Sequence, residues 1–209
     1  MATVPEAQCA DPAVSRRKFN REVRQFRAQA DVYRRRGWYL AHAKFPEAVV
    51  ILASPKTQPI SLLCGIAFDY TNYDAVPPSV RLVNPLTFEP YRNSELPTNL
   101  PRLLPGDPVG IAQAPQAGAA PPQIPAQMVI QPLMQAYGDE TPFLCIAGVR
   151  EYHDHPAHSG DDWELHRPSG AGRLIRLVEI VAKYGLETIV GYSVQLVPKV
   201  EYQLAVPPE

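Results

Sequence analysis

The spacing of apolar residues predicts one amphipathic helix near each end of the chain. Apolar positions recur at steps of three and four from Ser15 to Gly37 and again over residues 173–186, a period that buries one face of a helix. Ser15 is the expected N-cap of the first helix, Gly37 ends it, and Gly185 ends the second. The apolar faces consist of Phe19, Val23, Phe26, Ala30 and Tyr33 in the first helix and Leu174, Leu177, Val178 and Val181 in the second.

Between these helices the pattern changes to that of strands. Residues 38–55 and 60–73 are rich in β-branched and aromatic residues and are interrupted by Pro and Gly, which predicts antiparallel strands joined by short turns. A further short strand is expected at residues 79–84, an extended segment at 142–152, and one or two closing strands at 187–206. This succession of helix, strands, irregular region, helix and strand indicates an α+β fold.

Proline divides the chain into a folded domain and a long insertion. It makes up 24 of the 209 residues, more than twice its average usage of ~5 %. The density of prolines between about 97 and 135 excludes a long helix or a central strand there. We therefore expect a flexible tail at 1–14, a single domain at 15–209 and a Pro/Ala-rich insertion at about 97–135, extended over the low-complexity residues 110–127.

Charge and cysteine content limit the classes of partner. The chain has 20 Lys and Arg against 21 Asp and Glu, a formal net charge of -1, so neither nucleic acid nor an anionic membrane is expected as a partner. No apolar run approaches the ~20 residues of a membrane-spanning helix, and the N-terminal residues lack the apolar core of a signal peptide. Cys9, Cys64 and Cys145 are odd in number and far apart, which is typical of a reducing compartment. We therefore expect a cytoplasmic protein.

The candidate chemistry is concentrated directly after Cys145. Four of the five histidines fall between His153 and His166, with carboxylates interleaved among them. This short stretch therefore combines metal-ligand atoms with groups that can accept or donate a proton. The cluster consists of His153, His155, His158 and His166 together with Asp154, Asp161, Asp162 and Glu164.

Three interpretations of this cluster remain open on the residues alone. In the first, Cys145 is a nucleophile whose thiolate is favoured by a nearby imidazole. In the second, His153, His155 and His158 bind zinc together with Cys145 or an aspartate, because imidazole and thiolate are the usual zinc ligands. In the third, the histidines form a hydrogen-bonded polar loop and Cys145 is a buried small residue, as free cysteines often are.

The first half of the chain resembles the ubiquitin-conjugating enzymes. A basic N-terminal helix and a strand meander lead into the sequence YDAVPPSVRL at residues 73–82. This sequence is similar to the Tyr-Pro-x-x-Pro-Pro turn and the Val-x-Phe strand of that family. The resemblance implies a ubiquitin-conjugating (UBC)-like fold, in which the N-terminal helix packs on an antiparallel meander.

The second half continues the resemblance around Cys145. FLCI at residues 143–146 looks like the segment that carries the family's catalytic cysteine, and Trp163 and a helix from Gly172 follow it in the family's order. The similarity covers roughly residues 15–97 and 140–186. The string from Cys145 to Trp163 also resembles divergent bacterial ubiquitin-conjugating-like proteins that are named for metal binding.

Three features depart from the family pattern. Asn84 and Pro85 stand where the family has a His-Pro-Asn tripeptide, whose asparagine is thought to stabilise an oxyanion. The Pro-rich insertion separates that point from Cys145, and the interval between Cys145 and Trp163 is longer than usual. Because the insertion occupies the place of the family's short active-site approach, we expect it to border the Cys145 site.

The resemblance implies a cysteine transferase, active in transthiolation and aminolysis, that carries a ubiquitin-like modifier as a thioester on Cys145. It needs no cofactor. The alternative is a zinc-binding structural or interaction protein that uses Cys145 and the histidines, and the two can hold in part if zinc organises the histidine loop and leaves Cys145 free. Its partners would be the modifier, an activating-enzyme-like protein and a deubiquitinase-like protease. The expected oxyanion donors are His153, His155 or His158, the expected amine-orienting carboxylates are Asp154, Asp161 or Asp162, and the expected docking residues for the activating enzyme are Arg16, Arg17, Arg21 and Arg24.

Overall fold

The computed structural model describes residues 9–105, 128–136 and 138–191 and has the predicted α+β architecture. Residues 1–8, 106–127, 137 and 192–209 lie outside the described part. The helices are α1 (Pro12–Ala28), α2 (Ala30–Arg35), α3 (Arg150–His153), α4 (Trp163–His166) and α5 (Leu174–Gly185). The strands are β1 (Trp38–Lys44), β2 (Glu47–Ser54), β3 (Ser61–Asp69), β4 (Ser79–Val83), β5 (Pro101–Pro105), β6 (Met128–Pro132), β7 (Met134–Gln135) and β8 (Phe143–Leu144).

The first helix begins earlier than expected. Asp11 is its N-cap and accepts a hydrogen bond from the backbone N–H of Ala13 at 2.8 Å, while Pro12 occupies the first helical position, where its missing N–H costs nothing. The prediction of Ser15 as the N-cap is wrong, because Ser15 is buried inside the helix. The helix thus starts within the stretch expected to be a flexible tail.

The four central strands form an antiparallel meander in the order β1-β2-β3-β4, as the strand pattern predicts. Alternate residues of a strand point to opposite faces of the sheet. One face is buried, as shown by Ala48, Val50 and Leu52 on β2, which are inaccessible to solvent. The core between this face and the apolar sides of α1 and α5 includes Cys64, Ile66 and Phe68 from β3, Phe19, Val23 and Phe26 from α1, and Leu174, Leu177, Val178 and Val181 from α5.

The described ends of the insertion form a two-stranded ribbon. β5 pairs with β6 in antiparallel register, and β7 then pairs with β8. Because β8 directly precedes Cys145, the described ends of the insertion border that cysteine, as predicted. The low-complexity residues 110–127 lie outside the described part. So does most of the expected closing-strand region, of which the described residues 187–191 contain no strand.

The segment expected to be extended at 142–152 is only partly so. The strand stops after Leu144, and α3 begins at Arg150. Gly148 lies between them with φ +103, and a Cβ there would come within 2.5 Å of the backbone carbon of Ala171. This positive φ and close approach require glycine and redirect the chain from strand to helix.

None of the helices within the described residues combines the length and the apolarity needed to cross a membrane.

Replacing Gly148 by Ala should destabilise the protein more than the same change at Gly160. Both glycines have positive φ, but a Cβ at Gly160 would meet nothing within 4 Å. Gly160→Ala therefore isolates the backbone strain of roughly 1–2 kcal/mol, whereas Gly148→Ala adds a collision with Ala171 that should cost about 1–3 kcal/mol more. Urea denaturation of both variants measures the difference, and equal losses would mean that this loop is not packed as described.

Candidate active site around Cys145

Cys145 is held at the junction of the small β7–β8 ladder. Leu144 pairs with Met134, and the backbone N–H of Cys145 donates to the carbonyl of Leu133 at 2.7 Å. These main-chain contacts fix the position of Cα. The residue is 8 % exposed, so its thiol lies at the edge of the core and not on an open surface.

His158 lies against the thiol of Cys145. The distance between Cys145 Sγ and His158 Nε2 is 3.3 Å, within hydrogen-bonding range for sulfur. Burial raises the pKa of the Cys145 thiol, and the positive charge of Arg102 lowers it by a smaller amount. The pair therefore rests as a neutral thiol beside an imidazole nitrogen that is placed to take its proton. Among the described residues, His158 is the one whose side chain is within hydrogen-bonding distance of this sulfur.

Aromatic stacking holds the His158 ring in place. It stacks on Tyr152, with 3.9 Å between the ring centroids and 22° between the planes. The His155 ring lies 5.6 Å from the His158 ring, tilted to it, and itself stacks on Phe143, the residue two positions before Cys145. The orientation of the His158 ring is therefore set mainly by its stacking on Tyr152.

Asp161 holds Tyr152, the residue on which the His158 ring stacks. Its Oδ2 accepts a hydrogen bond from the Tyr152 hydroxyl at 2.6 Å, and its Oδ1 accepts one from His166 Nε2 at 2.6 Å. These two hydrogen bonds, Tyr152 first, lower the pKa of the Asp161 carboxyl. The same bond to the carboxylate, assisted by burial, raises the pKa of Tyr152 to about 12. Tyr152 thus stays a neutral donor throughout the physiological range.

His153 uses both ring nitrogens in structural hydrogen bonds. Its Nε2 accepts from the backbone N–H of Gly148 at 3.3 Å, and its Nδ1 lies 2.8 Å from the carbonyl oxygen of Asp161. Because Nε2 is an acceptor, the proton must be on Nδ1, which donates to Asp161. His153 therefore ties the loop after β8 to the start of α4 and does not face Cys145 Sγ with a free nitrogen.

The other predicted side chains take peripheral positions. His155 Nδ1 accepts from the backbone N–H of Ala157 at 3.1 Å and caps the short 3₁₀ turn that carries His158. Asp154 is exposed at the C-terminal end of α3, and Asp162 is exposed as the residue before α4. Both carboxylates remain predictions as amine-orienting groups.

The donor atoms do not converge as a zinc site would require. Searching residues 9–105, 128–136 and 138–191 finds no group of three or more His, Cys, Asp or Glu side chains arranged to hold a metal ion. Cys145 Sγ and His158 Nε2 are two suitable donors, whereas a structural zinc site takes four. His153 could join them only by giving up one of its two hydrogen bonds.

The segment after Cys145 is attached to the turn that precedes β4. Trp163 Nε1 donates to the carbonyl of Asp74 at 3.0 Å. The Arg150 backbone N–H donates to the carbonyl of Pro78 at 3.0 Å, and its guanidinium reaches the carbonyl of Thr71 at 2.7 Å. The proline turn and the histidine segment are therefore joined by contacts between residues as far as 89 positions apart in sequence.

Arg102 is a site residue that sequence reasoning missed. It lies on β5 opposite Gln131 on β6, and its guanidinium donates to the Gln131 side-chain oxygen. Its charge is the described group that favours the Cys145 thiolate. No sequence signal points to it, because it stands 43 positions before Cys145 in a proline-rich stretch without periodicity. The sequence also predicts no role for Tyr152, which directly precedes His153.

The basic side of α1 faces solvent, except that Lys18 is partly buried and pairs with Asp74 at 2.9 Å. Arg16, Arg17, Arg21 and Arg24 are all exposed. The one acidic residue of the helix, Glu22, is buried and pairs with Arg21 at 3.1 Å. The helix therefore presents a mainly positive surface.

Two comparisons with known proteins cover the site. A model of the Y4jH-like family, described as the Y4jH family, matches residues 10–189. A relative from Sinorhizobium fredii (strain NBRC 101917 / NGR234), named "Uncharacterized protein y4jH", is 43% identical over 189 residues, which is 87% of this chain and 87% of the relative. The family match includes the whole candidate site from Arg102 to His166.

Alkylation of Cys145 should be slow at neutral pH and should accelerate at higher pH than for an unstructured cysteine. Only the thiolate reacts, and burial raises the pKa of this thiol above its ordinary value. Iodoacetamide labelling followed by peptide mapping measures the rate at each pH. Cys64 is the internal control, since it is fully buried with a pKa of about 12 and should react only in denaturant. Labelling of Cys145 at neutral pH as fast as a cysteine-containing peptide would contradict this environment.

Asp161→Asn should lose stability at neutral pH and lose little in acid. The lowered pKa of Asp161 means that its charged form stabilises the folded state above the ordinary carboxyl pKa of ~3.9, and that this contribution disappears as the pH falls through the lower folded value. Urea denaturation of wild type and variant across this range measures the gap. Asp162→Asn, one residue away and exposed, is the control and should show no such trend. A pH-independent gap for Asp161→Asn would rule out the charge as its cause.

Proposed function

The chain belongs to the Y4jH-like family, and we propose that it is a ubiquitin-conjugating-like enzyme that carries a ubiquitin-like modifier as a thioester on Cys145. The observation that carries this proposal is the 3.3 Å contact between Cys145 Sγ and His158 Nε2. A thiol at the edge of the core beside an imidazole is the arrangement that nucleophilic catalysis by cysteine needs. The carried modifier is then transferred to an amine.

The order and pairing of the elements support the UBC-like part of the proposal. A basic helix precedes an antiparallel four-stranded meander, the proline turn leads into β4, and Cys145 follows before Trp163 and α5. Trp163 contacts the turn that the resemblance aligns with the family's own. The insertion enters between β4 and Cys145, where its ribbon brings Arg102 to the site.

Loading of the modifier would proceed by exchange of thioesters. The Cys145 proton passes from Sγ to His158 Nε2, and the thiolate attacks the carbonyl carbon of the thioester held by the activating enzyme. A new C–S bond forms, the old C–S bond breaks, and the departing sulfur takes the proton back from His158. No oxidant, reductant or metal enters this balance.

In the transfer to an amine, Cys145 is the leaving group and the amine is the nucleophile. The amine nitrogen attacks the thioester carbonyl and forms a C–N bond, and a tetrahedral oxyanion develops on the carbonyl oxygen. The C–S bond then breaks with Cys145 as the leaving group. The proton lost by the amine passes to His158 and from there to Sγ, so His158 acts as base and then as acid.

The exposed arginines of α1 suit the docking of an acidic surface on the activating-enzyme-like partner. The positive side of α1 comprises Arg16, Arg17, Arg21 and Arg24, while the only acidic side chain of the helix is buried. A deubiquitinase-like protease that removes the modifier is the further partner proposed. Neither partner needs to reach the core, because the thiol lies at its edge.

Incubation with a cognate modifier, activating-enzyme-like protein and ATP tests the proposal. We expect a thiol-sensitive adduct on the wild-type protein and on Cys9→Ser, a control in which an exposed cysteine is removed. Cys145→Ala should give none, and Cys145→Ser should give an adduct that resists thiols because an oxyester replaces the thioester. His158→Gln should load roughly 10²-fold or more slowly, the usual effect of losing a general base.

The result that would sink the proposal is an adduct that persists in Cys145→Ala, or no adduct with any cognate set of partners. Metal analysis of the untagged protein tests the zinc alternative. Cys145 and His158 would supply two of the ligands of such a site. Near-stoichiometric zinc that disappears in His155→Ala and in His158→Ala would favour a zinc-binding interaction protein.

A further inference from the structure

We propose that Arg102, positioned by Gln131, is the residue that stabilises negative charge at the Cys145 site, first on the thiolate and then on the oxyanion of the thioester carbonyl. This inference rests on the proposed function for its second half. Its first half concerns the thiol alone and holds for any chemistry of Cys145.

The ribbon geometry brings Arg102 to the cysteine. Arg102 and Gln131 are directly opposed in the β5–β6 pair, and the Gln131 side chain accepts from the guanidinium. Two residues after Gln131, the carbonyl of Leu133 accepts the backbone N–H of Cys145. Arg102 and Cys145 are therefore both attached to the short segment 131–133, and the Arg102 charge is close enough to act on the thiol.

The guanidinium has an unused donor at this position. Arg102 Nε is buried, and no hydrogen-bond partner for it is present among the described residues. A buried N–H without an acceptor is unfavourable and uncommon in native structures. An acceptor that arrives with the substrate, such as a thioester carbonyl oxygen that becomes an oxyanion, would supply the missing partner.

Of the groups described around the sulfur, Arg102 supplies the fixed positive charge. His158 supplies an imidazole nitrogen from the 3₁₀ turn, and Tyr152 from α3 is a neutral phenol bound to Asp161. Burial disfavours the Cys145 thiolate, and the Arg102 cation opposes that effect. Because His158 must take up the thiol proton, a separate fixed cation makes the resulting thiolate and the later oxyanion less costly.

Gln131 serves as the positioning residue. Its side-chain oxygen accepts a hydrogen bond from a terminal nitrogen of the planar guanidinium, while Nε has no partner among the described residues. Lysine at position 102 would retain the charge and lose this fork of donors. The arginine and lysine forms therefore separate the effect of charge from the effect of a directed N–H.

The experiment compares Arg102→Met, Arg102→Lys and Gln131→Leu with Arg176→Met, an exposed arginine on α5. The first readout is the pH profile of Cys145 alkylation, resolved by peptide mapping. We expect Arg102→Met to move its midpoint upward by about one pH unit, which is about tenfold in thiolate at a pH below the midpoint. Arg102→Lys should move it less, and Arg176→Met should leave it unchanged.

The second readout is single-turnover discharge of the loaded thioester to a free amine. Arg102→Met and Arg102→Lys should both slow discharge by about 10²-fold, the usual effect of losing one oxyanion donor. Gln131→Leu should slow discharge less. The amine concentration that gives the half-maximal rate should be the same as in the wild type. Circular dichroism of each variant confirms that the fold persists, and Arg102→Lys decides the matter if Arg102→Met does not fold.

An alkylation midpoint that is the same in wild type, Arg102→Met and Arg102→Lys overturns the inference. A shifted midpoint with normal discharge overturns the oxyanion half and leaves the thiolate half. If the wild-type protein forms no thioester, the proposed function fails and the oxyanion half with it, while the alkylation profile still decides whether Arg102 stabilises the thiolate.

Discussion

The hydrogen bonds of Asp161 hold the site in one arrangement. Its carboxylate accepts from Tyr152 and His166, and its carbonyl accepts from His153. Tyr152 in turn stacks on the His158 ring, which places Nε2 against the sulfur of Cys145. Without these contacts the loop of polar residues between α3 and α4 would have no reason to adopt a single conformation, because its ordering costs conformational entropy that little apolar burial offsets.

The scaffold around this loop is built from contacts distant in sequence. Arg150 and Trp163 attach it to the proline turn before β4, and the β7–β8 ladder attaches Cys145 to the ribbon of the insertion. The four-stranded meander and the two long helices supply the buried core beneath. The insertion is therefore part of the site at its described ends, since it contributes both the main-chain partner of Cys145 and the arginine whose charge lowers the pKa of its thiol.

Local periodicity predicts most of the fold and part of the site. The faces of α1 and α5, the meander and the importance of the stretch after Cys145 all follow from residue spacing. Ser15 was a wrong N-cap because Asp11 and Pro12 form a better start, a choice between neighbouring polar residues that spacing does not resolve. Spacing also does not show which histidine contacts the thiol. His158 is 13 residues from Cys145 in sequence, and α3 and a 3₁₀ turn bring it back to the sulfur. Arg102 was unpredictable because its approach depends on cross-strand pairing.

The proposed role of Cys145, with His158 as its proton acceptor, is to carry a ubiquitin-like modifier as a thioester. Mass spectrometry of the protein after loading by its activating partner tests this most directly. We expect a mass increase of one modifier minus water, reversed by hydroxylamine, and a peptide map that places the linkage on Cys145. A modifier attached stably to a lysine, or to Cys9 or Cys64, with Cys145 unmodified, would contradict it.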